Sequence, residues 1–137
     1  MNRGPVGGVP LVSYDFAVLR VVSHVHLDAA VPIGVAVHSR TARFLALRTV
    51  EGVDALAVRV PDVDAELLER YLASCRALCD GDPTVGPVAL APTSERFHWL
   101  TAPRSDVLQC SAVHGGLCEN PLEELTRLFT SYVGGSR

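Results

Sequence analysis

The spacing of apolar positions changes along this chain, and each change marks an element. In LVSYDFAVLRVV, residues 11–22, Tyr14, Phe16, Val18 and Val22 fall on one side of an extended chain, and Ala17, Leu19 and Val21 on the other. Both sides are apolar, which predicts a central strand covered on both faces. Arg20 shares the Tyr14 side, so its guanidinium must meet a carboxylate or reach the end of the sheet. VPIGVAVH, 31–38, predicts a second strand with Pro32 at its start, and ARFLALR, 42–48, a third. The HSRT link between them is short enough for a hairpin. Residues 49–61 show no period.

The period then lengthens. In 62–79, Leu67, Leu68, Tyr71, Leu72, Cys75, Leu78 and Cys79 recur at steps of three and four, the stripe of an amphipathic helix. Asp62 is the predicted N-cap, Asp64 and Glu66 favour the positive end of the dipole, and Gly81 and Pro83 stop the helix. Residues 80–95 read as a Pro/Gly/Thr-rich loop, RFHWL (96–100) as a short strand and DVLQCSAV (106–113) as a longer one. The last helix spans 120–133: Asn120 caps, Pro121 takes the first position, and Glu123 completes a capping box. Leu122, Leu125, Leu128, Phe129 and Val133 form its stripe, and Gly134 and Gly135 end it.

Strands in a run followed by helix, strand and helix predict an α+β fold, an antiparallel sheet with the two main helices packed on one face. Residues 1–10, with three glycines and two prolines, read as a flexible tail, and 11–134 as a single domain. Hydrophobic residues at 48% and charged residues at 20% support a packed core. The net charge of -3 argues against a nucleic-acid binder. No apolar run has the length of a membrane span, and MNRGPVGGVP has no signal-peptide core, so a cytoplasmic protein with reduced cysteines is expected.

Most of the reactive side chains crowd into RFHWLTAPRSDVLQCSAVHGGL, 96–117. Two glycines after a strand permit positive φ. Gly115 and Gly116 could therefore turn outward N–H groups toward an anion beside the last helix, or only turn the chain. Ser105 and His114 could be nucleophile and base, but no Gly-x-Ser-x-Gly elbow is present. Cys110, His114 and Cys118 repeat at four residues, wider than the tight pairs of zinc sites. Cys110 and His114 also pair on paper as thiol and base. Trp99, with His98 beside it, reads as core or rim before it reads as a stacking platform. Cys75 and Cys79 belong to an apolar stripe and read as core. His24, His26 and Asp28 in SHVHLD have the alternate spacing of zinc hydrolases of the metallo-β-lactamase type. In those the next residue is histidine; here it is Ala29. No cofactor is implied.

YDFAVLRVV, VPIGVAV, FLALR and the long C-terminal stretch resemble the DUF3037 family of bacterial proteins. The resemblance covers Tyr14 to about Val133. Its specific part is Trp99, Leu100, Pro103, Arg104, Ser105, Gln109, His114 and Gly116, followed by Leu122, Leu125 and Leu128. The chain departs from the family pattern at Ala29 and Pro32, which stand where Glu and Asn are usual, and keeps Gly34 and Val35. The resemblance implies no reaction. It implies a setting, since actinobacterial members are often encoded beside a HipA-like kinase, and the absence of lysine here suits an actinobacterial chain.

The expectation is therefore a cytosolic accessory protein, leaning away from enzyme, that binds a protein partner such as a HipA-like kinase. Arg104, Ser105, Gln109, His114, Gly115 and Gly116 form its candidate surface. The alternative is a small enzyme or small-anion binder using the same patch, with or without a metal. In the purely structural reading, Arg104 pairs with Glu119 or Glu123 and Gln109 bridges strands.

Overall fold

A computed structural model describes residues 9–22, 30–102 and 108–134. Five strands form one antiparallel sheet: β1 (Val12–Val22), β2 (Ala30–Ser39), β3 (Phe44–Thr49), β4 (Leu108–Cys110) and β5 (His114–Cys118). The order is β3-β2-β1-β4, with β5 also pairing with β1. Leu19–Val21 of β1 face β4 and Val12–Phe16 face β5, so the two short strands share one edge. Four helices complete the α+β fold: α1 (Val53–Arg59), α2 (Ala65–Cys79), α3 (Thr93–Thr101) and α4 (Pro121–Tyr132).

The central strand behaves as its two apolar sides require. Leu19 and Val21 join Ile33, Ala36 and Leu45 in a core closed by Leu56 of α1, Leu68 to Cys79 of α2, and Phe97 and Leu100 of α3. Tyr14, Phe16 and Val18 join Val35 and Val37 in a second core, closed by Leu125, Leu128, Phe129 and Val133. The two main helices, α2 and α4, therefore lie on opposite faces, not on one. A single layer of helices would leave one apolar face of β1 in water. Below, these are the three-helix face and the single-helix face.

Several other expectations change. The 49–61 segment contains α1, whose single buried side chain, Leu56, gives almost no periodic signal. RFHWL is not a strand but the body of α3, with Phe97 and Leu100 buried one turn apart. HGG is not a turn but the first half of β5. The N-cap of α2 is Asp64, whose carboxylate accepts from the Leu67 N–H at 3.1 Å, two residues past Asp62. Leu67 and Leu122 fall outside the buried stripes and are exposed.

The α4 cap stands as read, with Asn120 Oδ1 accepting from Leu122 and Glu123 N–H. Arginines satisfy orphan carbonyls at the C-terminal ends of both long helices. Arg59 donates to Val133 O at 2.6 Å, and Arg96 donates to Leu78 O and Cys79 O. At Gly34 a Cβ would sit 2.9 Å from Thr49 Cγ2 and 3.0 Å from Arg48 O. Only glycine fits there, where β2 carries an irregularity opposite Leu19 and Arg20.

Candidate functional site

Gln109 and His114, two of the candidate residues, project from the β4/β5 edge. Gln109 pairs with Arg20, and His114 with Phe16, so both lie on the single-helix face, and both are exposed. Between them the ladder breaks, and Ser111 splices it. Its N–H donates to Val18 O at 2.8 Å, and its hydroxyl accepts from Val18 N at 2.9 Å. That hydroxyl also donates to Ala112 O. The splice holds Gln109 and His114 on one rigid frame although they belong to different strands.

Below His114 lies an aromatic ledge. Its ring sits 5.5 Å from Phe16, and Phe16 sits 5.5 Å from Tyr132 and 6.2 Å from Tyr14. Tyr132 and His114 are exposed at its rim, while Phe16 and Tyr14 are buried beneath. Tyr14 then reaches α4. Its hydroxyl donates to Glu124 Oε2 at 2.6 Å, and Arg127 grips the same carboxylate with Nε and Nη2. Burial, and then the Glu124 carboxylate, push the Tyr14 hydroxyl up to about 12. The Arg127 guanidinium holds Glu124 below the usual carboxylate range.

Gly116 makes this contact possible. A Cβ there would stand 2.8 Å from the Tyr14 hydroxyl and 2.9 Å from its ring carbons. The ring lies across the strand and occupies the space a side chain would take. Neither glycine of the pair has a left-handed φ. The anion-receiving turn is therefore absent at Gly115 and Gly116, and the first N–H groups of α4 are taken by Asn120. At Gly115 a Cβ would make only ordinary contact, 3.5 Å from Asp15 Oδ1.

The remaining candidates separate. Cys110 faces the three-helix core, whereas His114 and Cys118 lie on the other face, so the Cys110/His114/Cys118 zinc reading fails and Cys110 and His114 make no thiol–base pair. Among the described residues no group of three His, Cys, Asp or Glu side chains is placed to hold a metal ion. Cys75 and Cys79 are buried thiols in no disulfide, and burial pushes Cys79 up to about 12, which makes it an inert core group. His98 is exposed and Trp99 half-exposed on α3, a rim position. Arg104 and Ser105, and likewise His24, His26 and Asp28, lie outside the described residues.

Two polar features lie outside the candidate patch, and only one of them, Arg20, was legible in the sequence. Arg20 is half-buried, and its Nε has no hydrogen-bond partner among the described residues. His38 is buried, stacked on Phe97 at 5.3 Å, with Nδ1 3.9 Å from Asp15 and Nε2 unpartnered among the described residues. Burial lowers its pKa despite the nearby Asp15, so the ring is neutral. Arg20 was visible as a charge in an apolar strand. His38 had no signal beyond the end of an apolar run.

The family model of DUF3037, described as a protein of unknown function, matches residues 16–133. The chain belongs to the DUF3037 family. No curated protein and no solved structure matches it. Within the DUF3037 pattern, Gly116 now has a physical reason in the Tyr14 ring, Gly34 one in its approach to β3, and Gln109 and His114 a common face. No helix among the described residues is long and apolar enough to cross a membrane.

Proposed function

We propose that this DUF3037 chain is a small cytosolic accessory protein that binds another protein through the Gln109/His114 ledge. The partner that the family resemblance implies is a HipA-like kinase. One observation carries the reading: two exposed polar side chains stand on one face of a rigid strand edge, beside exposed Tyr132 and above buried aromatics. Aromatic groups rimmed by polar ones, on a scaffold that need not reorganise, suit an interface. Arg104 and Ser105 join the proposed surface through their place in the family motif.

The test is a pull-down of the tagged chain from its native host, with the captured proteins identified by mass spectrometry. One kinase in near-equal amount is expected. Arg104→Ala and His114→Ala should each weaken its binding roughly tenfold with the fold intact. Unchanged affinity in both variants removes this surface, and an empty pull-down removes the partner reading.

A second reading, a small-anion site in the same patch, is favoured by Arg20. Its buried Nε lacks a partner among the described residues and lies opposite Gln109. Stabilisation by inorganic phosphate that Arg20→Gln abolishes would support it.

A further inference from the structure

The two outer strands of the sheet differ in helix cover. β3 pairs with β2 and is flanked on its two faces by α2 and α4, whereas β5, among the described residues, pairs with β1 alone and buries only Cys118. Ala112 to Gly115 are exposed in succession. For Gly115, which has no side chain, exposure means that the backbone itself meets solvent. Leu117 is 65% exposed. Free strand edges are normally blunted by Lys, Pro, a charge or a covering element, because unpaired N–H and C=O groups template further pairing. HGGLC contains no Lys, Arg, Asp, Glu or Pro.

We propose that the free edge of β5 receives an extended segment of a partner protein as an added strand, and that this segment places a lysine or arginine over Asp15. The proposal rests on the protein-binding reading above and names its mode. Charge selects the occupant. The Asp15 side chain is 52% exposed, and its basic neighbour, His38, is 3.9 Å away and neutral. Glu119 and Glu123, just beyond β5, are exposed and make no salt bridge among the described residues.

Strands in a sheet lie about 4.8 Å apart, so an added strand runs about 10 Å from β1. Gly115 leaves the row between them empty, and a long basic side chain spans it to reach Asp15. A second copy pairing through its own β5 would bring the same carboxylates to the seam, and HGGLC offers neither lysine nor arginine. Like charges therefore oppose an edge-to-edge dimer.

The test pans a random dodecapeptide library on phage against the full-length chain, then titrates the enriched peptides against the chain and two variants, Gly115→Lys and Leu117→Lys. Position 115 has room for a side chain and an ordinary φ, and Leu117 is exposed, so both variants should unfold at the wild-type denaturant midpoint. Lysine at 115 satisfies Asp15 from within the chain, and lysine at 117 blunts the edge. Enriched peptides should alternate β-branched and basic residues, and both variants should bind them roughly tenfold more weakly.

Acidic or helix-forming peptides, affinity indifferent to both variants, or no enrichment above a blank support would each overturn the proposal. So would a wild-type dimer that Leu117→Lys disperses, which would give the edge to a second copy. If the pull-down from the host still returns a partner in those cases, only the strand-addition mode falls.

Discussion

The two edges of this sheet are built from different physics. At the β3 edge, Thr49 is buried and receives Arg76 Nη1 at 2.6 Å, while the same guanidinium pairs with Glu69 at 2.6 Å. On the other face Arg48 lies 4.7 Å over the Phe129 ring and reaches Thr126. Helix side chains thus clamp β3 from both sides. At the β5 edge the described ties are the ladder to β1, the His114–Phe16 ring contact, the burial of Cys118 and the Tyr14–Gly116 contact that leads to Glu124, with no ion pair among the described residues. A protein able to clamp one outer strand so thoroughly leaves the other without such a clamp, with two glycines and no Lys, Arg, Asp or Glu. On that asymmetry rests the proposed addition of a partner strand.

Breaking the clamp should cost most. Arg76→Met leaves Thr49 and Glu69 without this donor, and Glu69 Oε1 is already buried and unpartnered among the described residues. Both side chains of the pair are about three-quarters buried. Removing one partner of a fully buried pair costs about 3 to 5 kcal/mol, so a loss of about 3 kcal/mol is expected here. Urea unfolding should show a lower midpoint with an unchanged slope. A loss no larger than that of an exposed substitution such as Leu117→Ala would mean that the two edges do not differ in this way.

The glycine pair sharpens the contrast within β5 itself. Gly116→Ala drives a Cβ into the Tyr14 ring, and relief requires the ring to swing away from Glu124. Overpacking of this kind costs about 1 to 3 kcal/mol. Gly115→Ala meets only an ordinary contact and should change stability by less than about 0.5 kcal/mol. Thermal unfolding of the two variants side by side decides it. Equal effects would show that the Tyr14 ring does not dictate the glycine.

These same residues show how far the sequence could be read. The three N-terminal strands, the two long helices and the α4 cap followed from periods of two and 3.6 and from Asn120-Pro121. The opposed placement of α2 and α4 was missed, although both sides of β1 are apolar and each needs cover. RFHWL misled because Phe97 and Leu100 fit either period in so short a window. Gly115-Gly116 misled because glycine was taken as backbone freedom. At Gly116 it serves a ring from the neighbouring strand, a contact between residues a hundred positions apart. Gln109 and His114 were found as candidates, but their common face depends on the Ser111 splice, which no local pattern announces.

The smallest effect links the open edge to the core. His38 is neutral and buried, with Phe97 stacked on it from α3, Asp15 facing it from β1, and Arg40 nearby beyond β2. Its pKa is depressed in the folded state, so the folded protein binds fewer protons than the unfolded chain. The resulting stability is present above the unperturbed value of about 6.5 and is lost as pH falls through the folded value. Denaturant unfolding at a series of pH values should therefore show a decline below that point that His38→Phe removes. Asp15 opposes the depression, because its carboxylate favours the protonated ring. A lysine at position 115 would neutralise Asp15, lower the His38 pKa further and deepen the acid decline. An unchanged acid limb in Gly115→Lys would mean that its lysine does not reach Asp15, and that a partner's basic side chain would fail there as well.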